Sequence, residues 1–177
     1  MKYWPVRSVN RNVPRNGPGS FFEYRGDRYH CGIDIYSQKD KLVVACEDLK
    51  IIEIGKFTSP EIIPYWNDSY YAIGINNDGL YFRYAELAFL FARERQEIKG
   101  NESIGLIGEV LNYKKINYNS PSYIQDLKKK KHGCMLHFEM WDRKPLVYSE
   151  YLGGNWFGEE RPEGLLDPSE YLSSILK

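Results

Sequence analysis

Cysteine is scarce in this chain: Cys31, Cys46 and Cys134 are the only three in 177 residues. An odd number with no C-x-x-C pair excludes a complete disulfide framework and a four-cysteine zinc finger, so buried thiols are expected. Long apolar runs are missing too, and nothing in the sequence would span a bilayer as a helix. The polar stretch from Met1 to Asn16 lacks the apolar core of about 7–15 residues that a secretory leader needs. As written the chain reads as cytoplasmic; a chain trimmed of its leader would read the same and work outside the cytoplasm. Charge of one sign is absent, since 24 Lys and Arg balance 24 Asp and Glu. No overall field exists to recruit nucleic acid or an acidic membrane. A G-x-S-x-G elbow, a P-loop and a dinucleotide fingerprint are also lacking.

What is present reads mostly as β-structure. Residues 41–46, 49–54, 70–75, 80–86, 103–108 and 134–141 are rich in β-branched or aromatic side chains and separated by Gly, Asn and Asp. Asn76-Asn77-Asp78-Gly79 between two of them is a hairpin signal. The spacing predicts one all-β domain, an antiparallel β-sandwich. Few helices are expected: a short one over 88–94, a turn near 124–128, and one over 168–175 with Asp167 as N-cap and Pro168 as first helical residue. Two long polar interruptions, 56–69 and 112–133, are either binding loops or decoration, and Lys128 to Lys131 reads as a solvated cluster. The aromatic stretch from Tyr148 to Phe157 reads as packing.

Two distant segments carry the chemistry. His30-Cys31-Gly32-Ile33-Asp34 offers a histidine and a carboxylate, and Leu136-His137-Phe138-Glu139 a second histidine. Two histidines and an aspartate suit three protein ligands to zinc with a fourth position open to water or substrate. Positions four apart on an extended strand lie about 13 Å from each other, so the chain must bend between His30 and Asp34. Gly32 is expected to supply that bend through a backbone angle other residues avoid. In the second segment, alternation sends Leu136, Phe138 and Met140 to the core and Met135, His137 and Glu139 to the site. The same alternation groups Cys31 with Ile33 and Ile35, and Cys134 with Leu136 and Phe138, so both thiols are expected in the core.

In order along the chain, His30 to Asp34, Val43-Val44-Ala45-Cys46, Tyr84-Ala85-Glu86-Leu87, Gly105-Leu106-Ile107-Gly108, Leu136-His137-Phe138-Glu139 and Leu166-Asp167-Pro168 resemble the lysostaphin-type (LytM-like) zinc endopeptidases. The resemblance covers 19–172, leaving 1–18 as an N-terminal extension and 173–177 as the C-terminal end. It implies a grooved antiparallel fold of the duplicated-hybrid-motif type, zinc on His30, Asp34 and His137, and cleavage of peptide bonds in bacterial peptidoglycan. It also gives Tyr24, six residues before the first ligand, an assisting catalytic role. The sequence departs from the family at two histidines: Met135 stands at the first position of the terminal His-x-His, and Glu86 replaces the histidine of Tyr-Ala-His-Leu, so hydrolysis is expected to be weak or lost unless Glu86 compensates. The remaining histidine, His132, reads as a solvated loop residue. Glu86 is then either the general base of a peptidase or a fourth ligand that closes the site. The second case leaves a non-hydrolytic module that binds peptide or cell wall or regulates another hydrolase.

Overall fold

In the computed structural model, which describes residues 1–8 and 11–176, the strands follow as β1 Tyr29–His30, β2 Ile33–Tyr36, β3 Leu42–Val44, β4 Leu49–Thr58, β5 Ser69–Ile75, β6 Tyr81–Leu90, β7 Glu97–Ile98, β8 Ser103–Ile107, β9 Met135–Trp141, β10 Tyr151–Leu152, β11 Asn155–Trp156 and β12 Leu165–Leu166. Two short helices, α1 Ser122–Lys130 and α2 Ser169–Ile175, complete the regular structure together with a 3₁₀ turn at Tyr113–Lys115. All the strand pairs are antiparallel. The larger sheet runs β12-β9-β6-β5-β4-β7, with β2 paired to the first half of β9 and β8 joining β3 to the end of β6. A small sheet, β1-β11-β10, stands beside it. The expected antiparallel all-β fold with few helices is therefore what forms.

Alternation works as physical chemistry requires on β9. Leu136, Phe138 and Met140 enter the main core with Ile33, Ile35, Phe82, Tyr84 and Leu87. Trp4, Val6 and Val13 belong to the same core, and Val6 bridges to Val43. Two satellite clusters flank it. One gathers Trp66, Val110, Leu111, Ile116 and Ile124 under α1, and the other gathers Cys31, Trp141, Trp156 and Leu165.

Three expectations need correction. Residues 88–94 form no helix: β6 continues to Leu90 because Phe89 and Leu90 pair with Leu106 and Gly105, and a partner strand overrides local helix propensity. The turn near 124–128 is a helix of nine residues, closed by Lys131 in the left-handed conformation with its N–H on the Leu127 and Lys128 carbonyls. Lys128 in the basic run is not merely solvated, since its Nζ donates to the Ile116 carbonyl at 2.8 Å. The C-terminal helix starts one residue late, with Pro168 at the cap and Asp167 Oδ1 still accepting the Ser169 N–H at 2.8 Å.

The thiols are core residues, but not of one core. Cys31 is fully buried in the tryptophan cluster, away from Ile33 and Ile35, because the chain turns at Gly32 and the alternation restarts there. Cys46 is buried in the main core and Cys134 is half-buried at its edge. Burial holds the Cys31 thiol well above its usual pKa, and nearby Glu139 adds to the effect. Cys31→Ser places a hydroxyl against Trp141 and Trp156 and is expected to destabilise the fold by about 1–3 kcal/mol. Cys134→Ser should cost less. Urea denaturation measures both, and circular dichroism with zinc analysis should show native structure and unchanged metal content.

Candidate metal centre

The register of the larger sheet sets Asp34 of β2 directly opposite His137 of β9, and His137 opposite Ala85 of β6. His30 arrives from the small sheet, where it pairs with Asn155. The bend at Gly32 joins the two sheets. Gly32 does not adopt a left-handed backbone; it is needed because a Cβ there would lie 2.4 Å from the Phe138 carbonyl oxygen. The expected reason was an unusual angle, and the actual one is close approach. Gly154, at φ +78°, does the same from the other side, with its backbone against the His137 ring where a Cβ would come within 2.6 Å.

Three ligand atoms converge in this junction. His30 Nε2 lies 2.9 Å from Asp34 Oδ1 and 3.0 Å from His137 Nδ1, and His137 Nδ1 lies 3.0 Å from Asp34 Oδ1. All three residues are buried. The outward nitrogens fix the tautomers: His30 Nδ1–H donates to the Ser20 carbonyl at 2.8 Å, and His137 Nε2–H donates to Glu139 Oε1 at 2.9 Å. What faces inward is then two imidazole lone pairs and a carboxylate oxygen. Three acceptors at this separation repel one another unless a proton or a cation sits among them. Tetrahedral zinc with bonds of about 2.0–2.1 Å spaces its ligand atoms at about 3.3 Å, so a small outward relaxation accommodates the ion.

The surroundings hold these three side chains in place. Glu139 is fully buried and uses both oxygens twice, for His137 and the Tyr151 hydroxyl on Oε1, and for Arg83 Nη1 and Trp141 Nε1 on Oε2. Burial would raise its pKa, but Arg83 and His137 hold it at about 2. Arg25, with a side chain only 8% exposed, donates to Asp34 Oδ2 at 3.1 Å and to Asn155 Oδ1 at 3.1 Å. Asp34 therefore offers one oxygen inward and keeps the other on the guanidinium. Burial would raise the Asp34 pKa; His30, His137 and Arg25 together hold it well below the usual carboxylate range. Burial lowers His30, whereas for His137 the hydrogen bonds to Asp34 and Glu139 overcome burial and raise it to about 9.

Glu86 faces the same space without joining the ligand triangle. Its carboxylate is not among the atoms clustered within 4.8 Å, yet it lines one small cavity with Asp34, His137 and Met135. The residue is 8% exposed, and its Oε2 is buried with no hydrogen-bond partner among the described residues. Burial and the Asp34 charge raise its pKa to about 8. Its backbone has φ +66° at the point where β6 leaves β9 for β8, a left-handed conformation that costs a non-glycine residue about 1–3 kcal/mol. The cavity measures about 30 Å³, room for a water or an ion. Trp66, Ile124 and Leu127 cover it, so both long interruptions, 56–69 and 112–133, reach the site.

Tyr24 is not brought to the centre. It is 61% exposed, its ring packs on Tyr29, and its hydroxyl donates to the Gly26 carbonyl. The neighbouring Arg25 points inward instead, a placement the sequence does not announce because a single arginine between polar residues carries no periodic signal. His132 stays exposed, its ring tilted against that of Tyr36 with centroids 4.9 Å apart. Asn155, Arg83 and the role of Glu139 were also unforeseen, although alternation had turned Glu139 toward the site.

No family model matches the chain, and no curated protein matches it. Solved structures do. The lysostaphin catalytic domain from Staphylococcus simulans aligns over 89% of this chain and 90% of its own, at 19% identity and a TM-score of 0.54. The SpoIIIAH and SpoIIQ complex contains a chain matched over 97% and 99%, at 18% identity and 0.56. A zinc-containing peptidase from Vibrio cholerae is matched over 92% of this chain, at 18% identity and 0.52, and this chain spans 41% of its length. The chain has the lysostaphin-type, LytM-like fold.

Purified protein should bind close to one zinc, and His137→Ala or Asp34→Ala should lose most of it, because each leaves two protein ligands. Glu139→Gln keeps the shape but not the charge behind His137, and should weaken binding by about 10–100-fold. Binding should also weaken in acid, since both inward nitrogens must be free of protons. Competition titration with a chromogenic chelator across pH measures all of this. Equal zinc content in wild type and both ligand variants would remove the site.

Proposed function

We propose that this protein is a zinc-dependent peptide hydrolase of the lysostaphin type, acting on bacterial cell-wall peptides, with Glu86 as its general base. The carrying observation is the buried Glu86 on the wall of a water-sized cavity that Asp34 and His137 also line, its Oε2 without a partner among the described residues. The cavity has room for the water that such a base would act on. His30, Asp34 and His137 would hold the zinc, which when bound polarises a peptide carbonyl and acidifies water. With a cation on the triangle to offset burial and the Asp34 charge, Glu86 would be ionised, accept the proton from the water and return it to the leaving amine. Arg25 and Glu139 keep the ligands oriented through Asp34 Oδ2 and His137 Nε2. Met135 lines the cavity where the family resemblance expects a histidine, and a thioether moves no proton. The residues of 19–172 carry this unit, and Tyr24 would take part only after turning away from Gly26.

A second reading has its own observation. Trp66, Ile124 and Leu127 line the cavity, whose volume of about 30 Å³ is small for a peptide. In that reading the centre is structural, and the molecule binds peptide or cell wall, or regulates a hydrolase, without cutting.

Dye release from labelled peptidoglycan and cleavage of oligoglycine peptides separate the two. Wild-type turnover that falls by about 10²–10⁴ in Glu86→Gln, with zinc retained, is the expected result. Absence of turnover in wild type, with a gain only in the double variant Glu86→His, Met135→His, would overturn the hydrolase reading in favour of a degenerate site.

A further inference from the structure

A second cavity, of about 600 Å³, shares no lining residue with the metal triangle. It opens between the N-terminal segment and the turn that enters β3. Lys2, Arg7, Arg11 and Lys41 line it, and no carboxylate among the described residues does. In a chain whose charges cancel overall, this is a local concentration of one sign. Arg7 and Arg11 are exposed and Lys41 is half-buried, and none of the three forms an ion pair among the described residues. Unneutralised cations around a concave wall focus the field and raise the local concentration of anions.

A second observation is independent of charge. Trp4 lines the same cavity and is 5% exposed, and its indole N–H is buried without a partner. A tryptophan buried at this level ordinarily finds an acceptor for that hydrogen. The Tyr36 ring forms another part of the wall, and the volume falls within the range of small-molecule sites, about 300–1,000 Å³.

We propose that this cleft binds a small phosphorylated molecule carrying at least two phosphate groups. Two arginines offer planar forks that match phosphate oxygens in pairs, and two lysines add point charges. One phosphate carries a charge of about −1.5 to −2, so four cations are balanced by two phosphates rather than one. The site is separate from the peptidase reading and stands without it.

The test is isothermal titration of the full chain with inorganic pyrophosphate, in wild type, in the double variant Arg7→Gln, Lys41→Gln, and in Asp34→Ala. Both cations of the double variant lie at the cleft surface, and circular dichroism verifies its fold. Expected are binding that is at least tenfold tighter for pyrophosphate than for phosphate, a loss of at least tenfold in the double variant, and weakening as salt rises. Asp34→Ala should bind as wild type does. A nucleoside diphosphate and a glycerol phosphate dimer, compared next, distinguish a nucleotide from a polyol phosphate, and preference for either supports the site. No binding at millimolar pyrophosphate, equal affinity in the double variant, loss in Asp34→Ala alone, or citrate binding as tightly as pyrophosphate would each overturn it.

Discussion

Three acceptors held within 3.0 Å of one another by two sheets are the constraint on which the rest of this molecule depends. His30, Asp34 and His137 are fixed from outside: Ser20 and Glu139 take the outward N–H groups, and Arg25 takes the second Asp34 oxygen. With every outward atom engaged, the inward atoms cannot turn away to relieve their repulsion. A positive charge at the centre is what makes the arrangement stable, and a metal ion supplies more of it than a proton. The coordinating geometry is thus written in hydrogen bonds that remain when the ion is not considered at all.

Around that centre the fold spends backbone irregularity rather than extra residues. Gly32 lets β2 pass against the Phe138 carbonyl, Gly154 lets the β10–β11 turn rest on the His137 ring, and Glu86 takes a left-handed conformation as β6 changes partners. The first two are close approaches that any side chain would block. The third is strain at a charged residue, located where it turns a carboxylate into the cavity. Strain of this kind persists only where neighbours over-determine it, here two strands paired to the two halves of β6.

The cover over the site has a different origin. Trp66 comes from the first long interruption and Ile124 and Leu127 from α1 in the second, and they pack on each other as a cluster apart from the main core. Tyr123 of the same helix stacks on Arg25 at 4.8 Å, and Arg25 holds Asp34. The insertion is tied to Asp34 through one guanidinium. Its two ends are themselves joined, with the Val110 N–H on the Gly133 carbonyl at 2.9 Å. A segment that leaves and rejoins the sheet at one point adds a surface without disturbing the strands below it.

The candidate donor set and the all-β class were legible because both follow from short-range chemistry. His, Asp and His are a donor set whatever the fold, and the period-two alternation of β9 assigns Leu136 and Phe138 inward and His137 outward from the sequence alone. Tyr24 and Arg25 show the limit: one sits at the spacing the family resemblance favours, yet the other reaches the centre, since the β-bridge of Tyr24 to Tyr29 turns successive side chains to opposite sides. The extension of β6 through 88–90 was hidden because its partner, β8, lies 15 or more residues further on. The sequence by itself determined which residues carry donor atoms and which strand faces are apolar, for these are properties of residue type and period. Only the tertiary structure decided which donors meet, what fixes their tautomers and what covers them, because those depend on register and on approach between segments more than 100 residues apart, such as His30 and His137.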